Sequence, residues 1–195
     1  MATPLSIQTT SSFASLTGTT PIPVPVPLLP GTGTETPIGS IILPLSNRSG
    51  RVFIEGTIPV VLSALAAAAA ITGTLDVVLS VYRSATATTP IYTIRQTLLP
   101  ATALAALAAP IFDILPFQFV DAPAVPLCAD TSSYFFRVTA ITTGITITAA
   151  TLTVNSTITT PGEFFNIIAE EVPGPVLGTT TTTTTTITTP IVTTP

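Results

Sequence analysis

Alternation of apolar and polar residues is the feature that most constrains the fold of this chain. In the segment TLDVVLSVYR, Thr74 to Arg83, every second residue is aliphatic, namely Leu75, Val77, Leu79 and Val81. Successive side chains of a β-strand point to opposite faces, so this spacing predicts a strand with one buried face.

Similar β-rich runs recur along the chain, separated by turn residues. They are GSIILPLS (39–46), RVFIEGTIPVVL (51–62), PIYTIRQTLL (90–99), IFDILPFQFVDAP (111–123), SSYFFRVTAIT (132–142) and ITITAATLTVNS (145–156). We expect turns at 47–50 and 84–89, a loop with one or two helical turns at 101–109, and a β-bulge where the alternation slips at Ala149 and Ala150. Six or seven strands without a βαβ rhythm predict an all-β antiparallel sandwich or barrel.

The aromatic residues of two of these strands are the largest side chains that we expect in the core of the sandwich or barrel. They are Phe112, Phe117, Phe119, Tyr134, Phe135 and Phe136.

The chain has very little charge for its 195 residues. Charged residues make up 7% of the sequence, against roughly 25% in an average soluble domain, and its five basic residues are all arginine. A protein with so few surface charges is poorly soluble as a monomer, which predicts that the chain is part of an assembly. A nucleic-acid partner is not expected without a basic patch. The longest apolar run, 58–71, is shorter than the roughly 20 residues that span a membrane, so we interpret it as a buried segment.

Residues for catalysis or metal binding are sparse. The chain has no histidine, no tryptophan and one cysteine, Cys128. A Ser/His/Asp triad and a zinc site are therefore not expected, and Cys128 is interpreted as a small hydrophobe at a loop edge, with an intermolecular bridge as the alternative. The sequence predicts no enzyme activity, no cofactor and no metal site.

The remaining charged residues read as structural. Four aspartates lack calcium-loop spacing and are interpreted as isolated carboxylates: Asp76, Asp113, Asp121 and Asp130. The neighbours Glu170 and Glu171 should point apart, which argues against a carboxylate pair for glycoside hydrolysis. Three strand arginines, Arg83, Arg95 and Arg137, either pair with Asp76, Asp121 or Glu55 or lie solvated at an edge.

Both ends of the sequence differ in composition from the middle. We divide the chain into an N-terminal Pro/Thr-rich arm (1–36), a β domain (37–156) and a Thr-rich C-terminal arm (157–195) that contains eight consecutive threonines at 179–186. Exposed sheet edges invite strand addition, and β-branched arms suit that use. Disordered, glycosylated tails are the alternative. The predicted assembly residues are Ile22, Val24, Val26, Phe164, Phe165, Ile167, Ile168, Ile187 and Ile191.

A resemblance covers residues 39–156. The motifs RVFIEGTIPV, LDVVLSVYRS, PIYTIRQT, LPFQFVDAPA, SSYFFRVTA and ITITAATLTV, in this order, resemble those of small β proteins of the exosporium and coat of endospore-forming bacteria. The resemblance implies an antiparallel jelly-roll, tumour-necrosis-factor-like domain, a structural role and a location on a spore surface, cell surface or extracellular appendage.

The function expected from these features is a self-assembling subunit of a surface fibre or layer. Copies of the chain would be held by β-edge pairing and arm exchange, with other surface-layer proteins as further partners. The alternative is a trimeric surface-binding or adhesion module with disordered stalk arms.

Overall fold

The computed structural model of the chain describes residues 12–45, 51–71, 73–100, 104–106, 109–122, 131–155 and 164–172. These residues contain twelve strands and no helix. The strands are β1 (Phe13–Thr17), β2 (Ile22–Val24), β3 (Gly31–Thr32), β4 (Thr36–Pro44), β5 (Arg51–Ile71), β6 (Thr74–Tyr82), β7 (Tyr92–Leu99), β8 (Leu104–Ala106), β9 (Ile111–Asp121), β10 (Thr131–Thr143), β11 (Ile147–Val154) and β12 (Asn166–Val172).

The strands form two antiparallel sheets. In sheet I, β12 lies between β1 and β5, β11 lies between β2 and the later part of β5, and β9 and β8 pair with the opposite edge of β5. In sheet II the order is β4, β10, β6, β7, and β3 follows β4 along the same edge of β10.

The order of the long strands is that of a jelly roll. We count β1 with β2, and β11 with β12, each as one interrupted strand, and omit the short β3 and β8. Sheet I then reads first, eighth, third, sixth, and sheet II reads second, seventh, fourth, fifth. The predicted all-β class and antiparallel jelly-roll sandwich are confirmed.

Alternate side chains of both sheets fill the core between them. The four aliphatic residues predicted to share a face of β6 are all fully buried, together with Ile54 and Leu62 of β5 and Leu115 of β9. Burying such a side chain contributes about 1.5–3 kcal/mol to stability. The long β5 contributes to the core along much of its length, which confirms that the apolar run at 58–71 contains a buried segment.

The predicted aromatic core is correct for most of its members. Phe117, Tyr134 and Phe136 are buried, and Phe119 packs partly buried against the core. Phe135 is half-buried on the opposite side of β10 from the buried Tyr134 and Phe136, so its assignment to the core was wrong. The assignment of Phe112 was also wrong, because Phe112 is 41% exposed. The odd-numbered residues of β9 point inward, and this even-numbered residue therefore points outward.

The described strands extend beyond the predicted β domain at both ends, which corrects its boundaries. β1 and β2 lie in the segment assigned to the N-terminal arm, and β12 lies in the segment assigned to the C-terminal arm. The two segments pair with each other, because β1 forms its ladder with β12. Pro23 is accommodated because β2 is an edge strand, where a missing N–H costs no ladder bond. Residues 173–195 and the threonine run lie outside the described residues.

Two local predictions have opposite outcomes. Residues 104–106 form strand β8 rather than a helical turn, because pairing with the long β5 overrides the helix propensity of alanine. The predicted bulge near Ala149 is confirmed by a register shift between Ile147 and Ala149. The predicted turn at 47–50, Cys128 and Asp130 lie outside the described residues.

Candidate assembly surface

The described part of the chain contains no group of three or more His, Cys, Asp or Glu that could hold a metal ion. No helix among those residues is long and apolar enough to cross a membrane. Glu170 is exposed and Glu171 is 1% exposed, so the two carboxylates point to opposite faces of β12, as expected.

On the outer face of sheet II, Asp76 of β6 is paired with Arg95 of β7. The Thr97 hydroxyl donates a hydrogen bond of 2.5 Å to the same carboxylate. Burial raises the pKa of Asp76, but the hydrogen bonds from Thr97 and Arg95 and the charge of Arg95 outweigh it, and the pKa lies below its ordinary value. Of the two alternatives for Arg95, pairing with a carboxylate is therefore correct, and the partner is Asp76.

Arg137 of β10 pairs with Glu35 at 2.7 Å on the same face. Its guanidinium lies 4.1 Å from the centre of the Tyr82 ring, and Tyr82 donates a hydrogen bond to Glu35. Burial raises the pKa of Glu35, but the bonds from Tyr82 and Arg137 leave it below the ordinary value. Glu35 lies in the segment assigned to the N-terminal arm and is not one of the predicted partners of the arginines.

The third ion pair joins the two sheets. Arg83 follows β6 in sheet II and pairs with Asp121 at the end of β9 in sheet I, so pairing is the correct alternative for Arg83 as well. The Tyr134 hydroxyl donates to Asp121 at 2.9 Å and accepts a bond of 3.0 Å from Ser132. Burial raises the pKa of Tyr134 far above its usual range, so the phenol stays protonated.

The outer face of sheet I has a different character. Residues paired across an antiparallel sheet share a face, so the strand registers define rows of outward side chains. These rows are Phe13, Glu170, Phe53 and Val120; then Ser15, Ile168, Glu55 and Gln118; then Thr17, Asn166, Thr57 and Pro116. Phe112 and Ile114 continue the face along β9. We call this surface the sheet I face.

Large apolar side chains on the sheet I face are open to solvent. Phe13 is 61% exposed, Val120 52% and Ile114 46%. Together with the exposed Phe112 they lie on the two outer strands of the sheet, on either side of β12 and β5. Several exposed large apolar side chains on one face of a sheet favour its use as an interaction surface.

The charged residues of the sheet I face also differ from those of sheet II in their pairing. Three of the four arginines in the described residues form ion pairs with carboxylates, and the fourth, Arg51, forms none there. Glu55 and Glu170 are likewise without an ion pair among the described residues. All three side chains are exposed and project from the sheet I face. The predicted pairing of a strand arginine with Glu55 is not found in this part of the chain.

A cleft of about 620 Å³ opens beside Glu55. Its lining comes from β5, β7, β9 and β12 and consists of Glu55, Gly56, Thr57, Tyr92, Ile94, Pro116, Phe117, Gln118, Asn166 and Ile168. Glu55 is the only charged residue of this lining. The Tyr92 ring stacks on Phe119 with centroids 4.4 Å apart, which joins the edges of the two sheets.

The residues predicted to bind neighbouring subunits divide into three groups. Val24, Phe165 and Ile167 are buried in the chain's own core, so in this fold they serve intramolecular packing. Ile22 and Val26 are partly buried against that core, whereas Phe164 is 37% exposed and Ile168 lines the cleft. Ile187 and Ile191 lie outside the described residues.

Comparisons with known proteins give no family for this chain. No family model and no curated protein matches it. Among solved structures it is similar to chains of infectious bursal disease virus. The similarity to the Gx strain has 9% sequence identity and a TM-score of 0.28, and covers 85% of this chain and 42% of that chain. For the T13 viral particle the identity is 10%, the TM-score 0.29 and the coverage 86% and 41%, and for the VP2 subviral particle the identity is 10%, the TM-score 0.23 and the coverage 91% and 47%. The chain therefore spans less than half the length of each. At TM-scores below 0.5 these similarities assign neither fold nor function.

Sequence reasoning missed the residues that make the sheet I face distinctive. Phe13 and Glu170 were assigned to the arms. Phe53 and Val120 were predicted to lie in strands, but the side of the sheet to which they point was not predicted. The available signal was alternation: Val52 and Ile54 are buried and flank Phe53, which places Arg51, Phe53 and Glu55 together on the opposite side of β5.

Proposed function

We propose that this chain is a structural, non-enzymatic subunit that binds copies of itself through the sheet I face. The observation that carries the proposal is the difference between the two outer faces. Sheet II has its arginines neutralised by carboxylates of the same chain, whereas sheet I carries exposed Phe13 and Val120 beside charges that have no ion pair among the described residues.

Burial of the sheet I face in an interface between copies would be energetically favourable. Each Å² of apolar surface removed from water contributes roughly 25 cal/mol, and a stable interface buries about 800 Å² on each partner. Four strands present three rows of outward side chains, against which a second sheet can pack. With 7% charged residues and a net charge of −4, the chain has little electrostatic repulsion to keep its copies apart.

The assembly that we propose is a fibre or layer at a spore or cell surface. The proposed location follows from the resemblance of motifs in residues 39–156 to those of spore-surface proteins. Edge pairing is supported by the edge strands β1 and β4, whose outer ladder positions have no strand partner among the described residues. Arm exchange would involve residues 1–11 and 173–195, which lie beyond the described strands.

Electron microscopy and size-exclusion chromatography of the purified full chain test this function. We expect particles much larger than the 19.9 kDa monomer that grow with concentration into fibres or sheets. A closed trimer with protease-sensitive ends would favour the adhesion module instead. A monodisperse monomer at high concentration would refute self-assembly.

A further inference from the structure

We infer that two copies pack sheet I against sheet I about a two-fold axis that crosses β5 at Phe53, so that Arg51 of each copy faces Glu55 of the other. The inference rests on the proposed self-association and specifies its sheet I contact. This contact closes at two copies, so growth into a fibre or layer would come from edge pairing and arm exchange. The inference is carried by the positions of the charges that lack an ion pair among the described residues.

The spacing of these charges on β5 is symmetric. Arg51 and Glu55 are each two residues from Phe53, on the same outward side of the strand. At about 3.4 Å per residue, each lies about 7 Å from Phe53, in opposite directions along the strand. A basic and an acidic side chain therefore flank a central aromatic ring at equal distances.

A two-fold axis turns this symmetry into complementarity. When two identical faces pack about an axis that lies between them and crosses the strands, the strand direction of one copy is reversed over the other. Phe53 then lies over Phe53, and Arg51 lies over Glu55 of the second copy at both ends. One residue pair thus forms two contacts, which fix the register of the dimer.

The surroundings strengthen these contacts. Val120 and Phe13 lie in the row of Phe53, and their burial would remove water from the interface, whereas Glu170 of the same row would face its own copy and oppose association. Ion pairs gain strength as the local dielectric falls, and complementary charges select one orientation over others. Glu55 also borders the cleft of about 620 Å³, which gives an arginine side chain of the second copy room to approach its carboxylate.

Charge reversal tests the pairing in the full chain. In the R51E variant both positions are acidic, and in the E55R variant both are basic, so each homodimer would have two repulsive contacts. In an equimolar mixture, the glutamate introduced by R51E faces the arginine introduced by E55R. The unchanged Glu55 of the first variant likewise faces the unchanged Arg51 of the second, so both contacts are attractive. We expect the dissociation constant of each single variant to rise about tenfold or more, and the mixture to regain the affinity of the unmodified chain.

Sedimentation velocity measures the association, and circular dichroism confirms the fold of each variant. Both residues are exposed, so the variants should unfold at the same urea concentration as the parent. If the parent associates but the mixture does not regain its affinity, or the single variants associate normally, the Arg51 and Glu55 contact is refuted while the proposed function stands. A parent chain that remains monomeric at every concentration would refute both.

Discussion

Asn155 holds the backbone of Phe165 through a hydrogen bond of 2.8 Å, in which the Phe165 N–H donates to the side-chain oxygen. The amide nitrogen of Asn155 donates to the Thr20 carbonyl at 2.6 Å. The fully buried Asn155 side chain thus connects the segment between β11 and β12 to the segment between β1 and β2. Asn155 has a φ of 67°, a left-handed conformation that asparagine tolerates better than most residues.

Replacing Asn155 should destabilise the fold. Asn155→Ala leaves the buried Phe165 N–H without its acceptor, at about 1–3 kcal/mol, removes the bond to the Thr20 carbonyl, and adds strain at positive φ. Asn155→Gly loses the same bonds but relieves the strain, so its loss should be smaller. Urea denaturation measures both. Equal stability of Asn155→Ala and the parent chain would contradict the structural role of this residue.

The Tyr134 hydroxyl should contribute to stability more than that of Tyr92. Tyr134→Phe removes the donor to Asp121 and the acceptor of Ser132, and we expect a loss of about 1–2 kcal/mol in the free energy of unfolding. Tyr92→Phe keeps the ring that stacks on Phe119 and is the matched control, with little expected effect. Similar losses for the two variants would show that the network at Asp121 contributes nothing specific.

Stability should fall in acid through Asp76 and Glu35. Their pKa values are lower in the folded chain than in the unfolded one, so their contribution is present above the unfolded values of about 3.9 and 4.3 and is lost as the pH falls through the folded values. The stability difference between the parent and Asp76→Asn should be largest near neutral pH and should shrink below about pH 4. Urea titrations across this range measure it, and a constant difference would contradict the assignment.

Much of the fold could be predicted from alternation, because buried and exposed side chains on a strand follow a period of two. That rule placed β6 and its buried face correctly. The alternation rule failed at the ends of the domain, where β1 and β12 are short and follow Thr-, Pro- or Gly-rich sequence. The pairing of these two strands depends on contacts between residues more than 140 positions apart, such as Phe13 and Glu170.

The candidate surface was harder to predict than the fold. It exists only after register brings Phe13, Glu170, Phe53 and Val120 from four strands into one row. Local sequence carries no information about which residues face each other across a sheet. The ion pairs of Arg83 and Arg95 were predictable as charge pairs on strands, whereas Glu35 entered its pair from a segment interpreted as an arm.

Removing the charge of Glu170 should strengthen self-association. In the proposed two-fold contact, Glu170 lies level with Phe53 and therefore faces the same residue of the second copy. Two facing carboxylates repel, so Glu170→Gln should lower the dissociation constant, with a smaller gain at high salt, where exposed charges are screened. Sedimentation velocity at low and high salt measures this. Weaker association of Glu170→Gln would contradict the arrangement.

The most direct test of the central claim compares apolar residues on the two outer faces. Sedimentation velocity over a range of concentrations would be recorded for the full chain, for a Phe13→Ser, Val120→Thr double variant of the sheet I face, and for Ile42→Thr, which changes a 62% exposed residue of β4 in sheet II. Self-association through sheet I predicts that the double variant shifts toward the monomer while Ile42→Thr sediments like the parent. An unchanged double variant, or a loss of association only in Ile42→Thr, would contradict it.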